Sequence, residues 1–224
     1  MKLAFTAATA AAALLVGFAQ PSHAMLMLQV SDGIHTNVVQ DLTNTGAVTF
    51  SGGIGAFSFN VSTGVSTPMV GTANQPVLDL NSIDIASAQG SGGTLTFKLT
   101  DTDFIGAGSL IQFLSTVGGT LSTGGALQVN TYLDCSNTAF GETTELTSQN
   151  FTGNPFSGGQ NTFVNGCSGN YSLTQLVTLS LPGGGMFSGD SSLTVPEPST
   201  LALFGVGLLG LGMAFRRKTK TMAI

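Results

Sequence analysis

The sequence has no tryptophan, two tyrosines and two cysteines, and only 8% of its 224 residues are charged. An ordinary soluble domain carries about 25%. Basic residues are scarcest. Between Met25 and Val195, Lys98 stands alone against ten acidic residues. A chain with no cationic stripe has nothing to set against phosphate, which excludes nucleic-acid binding. Beyond residue 24 a single histidine remains, His35, with no Cys-x-x-Cys or second histidine to build a zinc site. No Gly-x-Ser-x-Gly elbow accompanies it, and the Walker and Rossmann glycine patterns are missing. His35 follows Asp32 in SDGIHTN and reads as a polar loop residue. Glu142 and Glu145 lie three apart in a loop-like stretch, which suggests solvent exposure and not a carboxylate pair across a cleft. With no catalytic set, the chain does not read as an enzyme; a secreted hydrolase is the weakest reading. A carbohydrate-binding module is the stronger alternative, but the lack of Trp counts against it, since sugars stack on aromatic rings.

What the chain does have is glycine, 31 residues of it, together with Val, Ile, Thr and Phe. Disordered chains are usually charged and poor in β-branched residues, so this composition points to a folded β domain. Period-two alternation supports that. In GGTLTFKLTD, Leu95, Phe97 and Leu99 face one way, while Thr94, Thr96, Lys98 and Thr100 face the other. Lys98 falls on the polar side as a solvated charge. Ala56–Val61, Ala126–Leu133 and Gln175–Leu181 alternate likewise, and weaker runs cover Met25–Val30, Ile34–Val39, Ala47–Phe50, Val77–Ile85 and Leu110–Val117. Turn-like clusters separate them, among them Ser51-Gly52-Gly53, Gly118-Gly119, Gly124-Gly125, Ser157-Gly158-Gly159 and Gly183-Gly184-Gly185. Short strands between glycine turns predict an all-β fold, an antiparallel β-sandwich or jelly roll spanning 25–194. So little charge would also leave its strand edges open to self-association.

Cys135 and Cys167 are the whole cysteine complement. In an exported chain two cysteines pair, and closing that loop contributes roughly 3–4 kcal/mol. The segment between them otherwise looks poorly anchored. Asp101-Thr102-Asp103, read as a loop after the Leu95–Leu99 strand, is the one metal candidate. Asp101 and Asp103 could hold calcium together with backbone carbonyls, with Asp79 and Asp84 joining from another loop. The alternative is that Asp101 caps a turn.

Both ends of the chain read as addresses. Lys2, an apolar stretch from Leu3 to Phe18, Pro21 and then Ser22-His23-Ala24 predict a secretory signal peptide over 1–24, cut after Ala24. At the other end, Leu201 to Phe215 carries no charge. A helix of that length reaches about 22 Å, so the predicted transmembrane helix, 199–215, spans a bilayer by thinning it and by snorkelling of its arginines. Arg216, Arg217 and Lys218 would stay on the cytoplasmic side.

A plain anchor needs no Pro-Glu-Pro. The order Val195-Pro196-Glu197-Pro198-Ser199, then a glycine-rich apolar helix, then Arg216-Arg217-Lys218 resembles the PEP-CTERM sorting signal, here 195–220. Proteins with this tail occur in Gram-negative bacteria that make extracellular polysaccharide. The resemblance implies recognition by an exosortase, a membrane transpeptidase-like enzyme that processes the tail near Pro196-Glu197-Pro198. It also implies passage through the export machinery and an inner-membrane intermediate before delivery to the cell surface. It says little about the middle of the chain, which is expected to be a structural or adhesive component with extracellular polysaccharide, or copies of itself, as partners.

Overall fold

Leu95, Phe97 and Leu99 are all fully buried, whereas Thr94 is exposed and Thr96 and Lys98 are half-buried. That single stretch shows how the sequence becomes a sandwich: the apolar side of each strand turns toward an apolar side on a facing sheet. The computed structural model describes residues 25–106 and 110–196. The predicted signal peptide with Ala24, Glu197, Pro198, the predicted transmembrane helix and the basic cluster lie outside the described residues.

Twelve strands follow in order. The first six are β1 (Met27–Ser31), β2 (Thr36–Gln40), β3 (Ala47–Ile54), β4 (Phe57–Val65), β5 (Val77–Ser87) and β6 (Gly93–Ile105). The second six are β7 (Leu110–Leu121), β8 (Ala126–Asp134), β9 (Thr144–Phe151), β10 (Phe156–Asn165), β11 (Asn170–Leu181) and β12 (Met186–Thr194). They form two six-stranded sheets, in the orders β2-β1-β6-β11-β8-β9 and β10-β7-β12-β5-β4-β3, and every pairing is antiparallel.

The last eight strands are one ribbon folded back on itself: β5 pairs with β12, β6 with β11, β7 with β10 and β8 with β9. Rolling the ribbon adds β12 to β7 and β11 to β8. The resulting orders, β5-β12-β7-β10 and β6-β11-β8-β9, are those of a jelly roll. The first four strands widen it, β1 and β2 beyond β6, β4 and β3 beyond β5. The antiparallel sandwich expected from the alternation is thus present.

Several local expectations need correction. The segment between the cysteines holds two full strands, β9 and β10, where a loosely anchored loop was expected. Of the glycine pairs read as turns, Gly52-Gly53, Gly118-Gly119 and Gly158-Gly159 lie inside strands. Gly119 shows why glycine is needed there: a Cβ would collide with the Ser188 carbonyl of the neighbouring strand. Strand β6 runs on to Ile105, so Asp101, Thr102 and Asp103 are strand residues, and Asp101 caps no turn. Asp79 belongs to β5, between the inward-facing Leu78 and Leu80, on the outer side of the other sheet from β6. Burial and the nearby Asp190 raise its pKa.

Candidate functional site

Asp101 continues the inward-facing row of Leu95, Phe97 and Leu99, and it is fully buried. Its Oδ1 accepts the Thr102 N–H at 2.8 Å, but Oδ2 has no hydrogen-bond partner, nor does the buried Ser66 hydroxyl. Burial pushes the Asp101 pKa up to about 7; the Ser66 hydroxyl and the Thr102 N–H pull against it, and Asp103 and Asp41 add repulsion. Ser66 and Asp101 are therefore neighbours that interact without meeting hydrogen-bond geometry.

Two residues on, strand β6 is locally irregular. Asp103 has φ of 64°, and the β6–β11 register shifts between Tyr171 and Leu173. The Asp103 carboxylate faces different partners from Asp101: Oδ1 accepts the side-chain amides of Asn137 at 2.7 Å and Asn170 at 3.3 Å. The Asp103 N–H donates to Asn137 Oδ1 at 2.8 Å. The pair expected to share a calcium ion is thus split between a core environment and an amide clamp. Among the described residues no three His, Cys, Asp or Glu side chains come together as a metal cluster.

Asn137 belongs to a loop, 135–143, that lies over the outer side of β6 and β11. Asp134 builds it: Oδ1 accepts the Ser136 N–H at 2.9 Å and the Thr143 hydroxyl at 3.2 Å, and Oδ2 accepts the Thr138 N–H at 3.3 Å. Burial opposes ionisation of Asp134, but those hydrogen bonds outweigh it and lower the pKa. The Phe140 N–H donates to Thr100 Oγ1, and the Ser172 hydroxyl to the Thr138 carbonyl. Lys98 reaches up to Glu142 at 2.6 Å. The domain's one lysine is thus a loop clamp and not the freely solvated charge expected, and Glu142 is its partner. Glu145 stands apart, exposed on β9. Cys135 and Cys167 form a disulfide, joining the end of β8 to the connection between β10 and β11.

His35 and Asp32 do meet. Asp32 Oδ1 accepts the N–H groups of Ile34 and His35, and Oδ2 lies 3.1 Å from His35 Nδ1. The backbone and ring of His35, with the Ile34 N–H, lower the Asp32 pKa to about 2. The Ser31 hydroxyl donates to the His35 backbone carbonyl at 2.9 Å and accepts from the Thr36 hydroxyl at 2.9 Å. The imidazole therefore does not activate it, and the cluster works as the turn between β1 and β2. Tyr132 and Tyr171 are both buried and present no ring face for a sugar to stack on.

The remaining sequence feature is the tail. Strand β12 ends at Thr194, and the Val195 N–H donates to the Pro76 carbonyl at 3.1 Å. Residues 194–218 match the family model of the PEP-CTERM protein-sorting motif. The tail is a PEP-CTERM sorting motif. The match takes in the last residue of β12 and the chain beyond it, so the PEP-CTERM motif starts where the last strand ends.

No curated protein sequence matches this chain. Among solved structures it is similar to the enzymatically active domain of bacteriophage CBA120 tailspike protein 4, with 12% identity, TM-score 0.31 and 65% of this chain aligned to 19% of that one. It is also similar to TmCBM61 in complex with β-1,4-galactotriose, with 11% identity, TM-score 0.31, and 68% of this chain aligned to 90% of that one. A third is the infectious bursal disease virus VP2 subviral particle, with 15% identity, TM-score 0.33, and 76% of this chain aligned to 56% of that one. The chain thus spans about a fifth of the tailspike chain and just over half of the VP2 chain. These likenesses are too distant to bear on activity.

Proposed function

We propose that this is an exported surface protein of a Gram-negative bacterium, delivered by exosortase through its PEP-CTERM tail. The jelly roll is its displayed part, with a structural or adhesive role in the extracellular polysaccharide layer. The observation that carries the reading is the motif match at 194–218, which begins at the last residue of the last strand. A folded body followed at once by a sorting tail suits a protein made to be displayed. The disulfide fits an oxidising, exported environment. Within this reading residues 1–24 are the signal peptide, cut after Ala24. The helix 199–215 holds the chain in the inner membrane until processing, and Arg216, Arg217 and Lys218 fix its orientation. Pro196, Glu197 and Pro198 present a stiff, extended segment to the processing enzyme. The domain is non-enzymatic, consistent with the Ser31–His35 geometry.

The test separates anchoring from processing. Replacing Pro196, Glu197 and Pro198 by Ala should leave membrane insertion intact but block processing, so uncleaved protein accumulates in the inner membrane. Deleting residues 201–224 should instead release the domain into the periplasm. Fractionation and tail mass of both variants, in a host with exosortase, read the outcome. A triple-Ala protein that is cleaved and surface-delivered like the parent would overturn the reading.

A further inference from the structure

The two sheets have four edge strands, and three of them carry a device that discourages further pairing. Strand β2 is only five residues long. The register of β3 with β4 breaks between Phe50 and Gly52. Strand β9 bears the exposed Glu145, and its register with β8 breaks beside it, between Thr131 and Tyr132. Strand β10 has no such device. Its sequence, FSGGQNTFVN, holds no charge and no proline, and it pairs with β7 through ten residues without a break. Its inner side is already occupied, since Gln160 Oε1 accepts the Ser148 N–H of β9 and a Cβ on Gly158 would collide with Phe151. Among the described residues its outer side is exposed and its edge has no partner strand.

Two residues on that outer side complement each other. Phe163 is 57% exposed, although a phenylalanine ring on a sheet surface normally finds cover. Four residues earlier, Gly159 leaves the sheet bare: a Cβ there would touch only the Ser115 carbonyl and Thr116 Cγ2, at 3.8 and 3.9 Å. Both lie two residues from Asn161, one on either side. We propose that β10 pairs antiparallel with β10 of a second copy, about a two-fold axis at Asn161. Directly opposed residues in an antiparallel pair share a face, so Asn161 then meets its own copy and Phe163 of each chain covers Gly159 of the other. An aromatic ring laid across a strand glycine is a recognised way to stabilise a β edge. The contact is isologous and closes as a dimer, joining two six-stranded sheets into one. A second copy is the occupant because the ring and the bare glycine sit on the same strand at equal distances from one point. The pairing needs only the folded domain, so it stands or falls apart from the sorting reading.

The test uses full-length protein in mild detergent with the Cys135–Cys167 bond intact. An Asn161→Cys variant, oxidised at low concentration, should give a dimer whose mapped linkage is 161 to 161. Thr49→Cys on the β3 edge should stay monomeric. Adding Phe163→Ser to Asn161→Cys should cut the dimer yield about fivefold, the effect of roughly 1 kcal/mol. In sedimentation, an Asn161→Lys variant that keeps the parent melting temperature should be monomeric where the parent is dimeric. No 161–161 linkage, equal linkage at Thr49, a yield indifferent to Phe163→Ser, or a monomeric parent would each overturn the proposal.

Discussion

Lys98 Nζ lies 2.6 Å from Glu142 Oε1, so the one lysine between Met25 and Val195 pins the tip of the 135–143 loop to the outer side of β6. Both side chains are about a third exposed, at 29% and 34%. A pair in that setting is worth about 0.2–1 kcal/mol.

Lys98→Met or Glu142→Gln should therefore lower stability by less than about 1 kcal/mol. The clearer effect should be local: amide exchange across residues 136–143 should accelerate in both variants and by no more in the double variant. Unchanged exchange in that loop would mean that Asp134 and the disulfide hold it without Lys98.

The Cys135–Cys167 bond should resist alkylation unless the protein is first reduced, and mass spectrometry should find neither thiol labelled. Its sequence separation is 32. Reduction should cost roughly 3–4 kcal/mol on the chain-entropy scale, read from denaturant unfolding. Full labelling of both thiols in exported, unreduced protein would refute the bridge.

Asp101 should make stability depend on pH near neutrality. Burial holds its folded pKa at about 7, above the ordinary aspartate value of 3.8 that the unfolded chain keeps. Between those two values the folded state keeps a proton that the unfolded state has lost. Stability should therefore be full below the lower value, fall by about 1.4 kcal/mol per pH unit in the window, and level off above the upper one. Asp101→Asn keeps an acceptor for the Thr102 N–H but cannot ionise. It should match the parent near pH 4, exceed it at pH 8, and flatten this part of the profile in urea titrations. Parallel profiles for the two proteins would show that Asp101 does not set the slope.

Asp103→Ala leaves the side-chain amides of Asn137 and Asn170 without their acceptor. The expected loss is about 1–3 kcal/mol, the same in chelator as in millimolar calcium. A calcium-dependent rise in melting temperature that this variant abolishes would instead give the carboxylate to a cation.

Alternation made much of the sandwich legible. Leu95, Phe97 and Leu99 in β6, Leu127 and Val129 in β8, and Val177, Leu179 and Leu181 in β11 all turn inward as their period requires. Strands β9, β10 and β12 were hidden because polar residues hold inward positions along the same core. Gln149 Nε2 donates to Ser115 Oγ between the sheets, and the Thr131 and Thr147 hydroxyls pair at 2.7 Å. Gln175 Nε2 reaches across to the Leu78 and Ser191 carbonyls at 3.3 Å each. A buried glutamine that finds its partner on another sheet looks, in sequence, like any surface glutamine. The tail was legible for the opposite reason: its information is local, held in consecutive residues. Lys98 shows the limit between these cases, since its outward side was readable but Glu142, 44 residues away, was not.

The position of β12 also sets how the molecule resists a pull. The chain leaves for its tail from a strand bonded on both sides, with eight paired positions to β5 and eight to β7. Tension directed along β12 from its C-terminal end loads both ladders in shear. The strand cannot be peeled away one bond at a time, as an edge strand can; both ladders must slip together. A domain tethered by this end meets such a pull with two ladders at once instead of one.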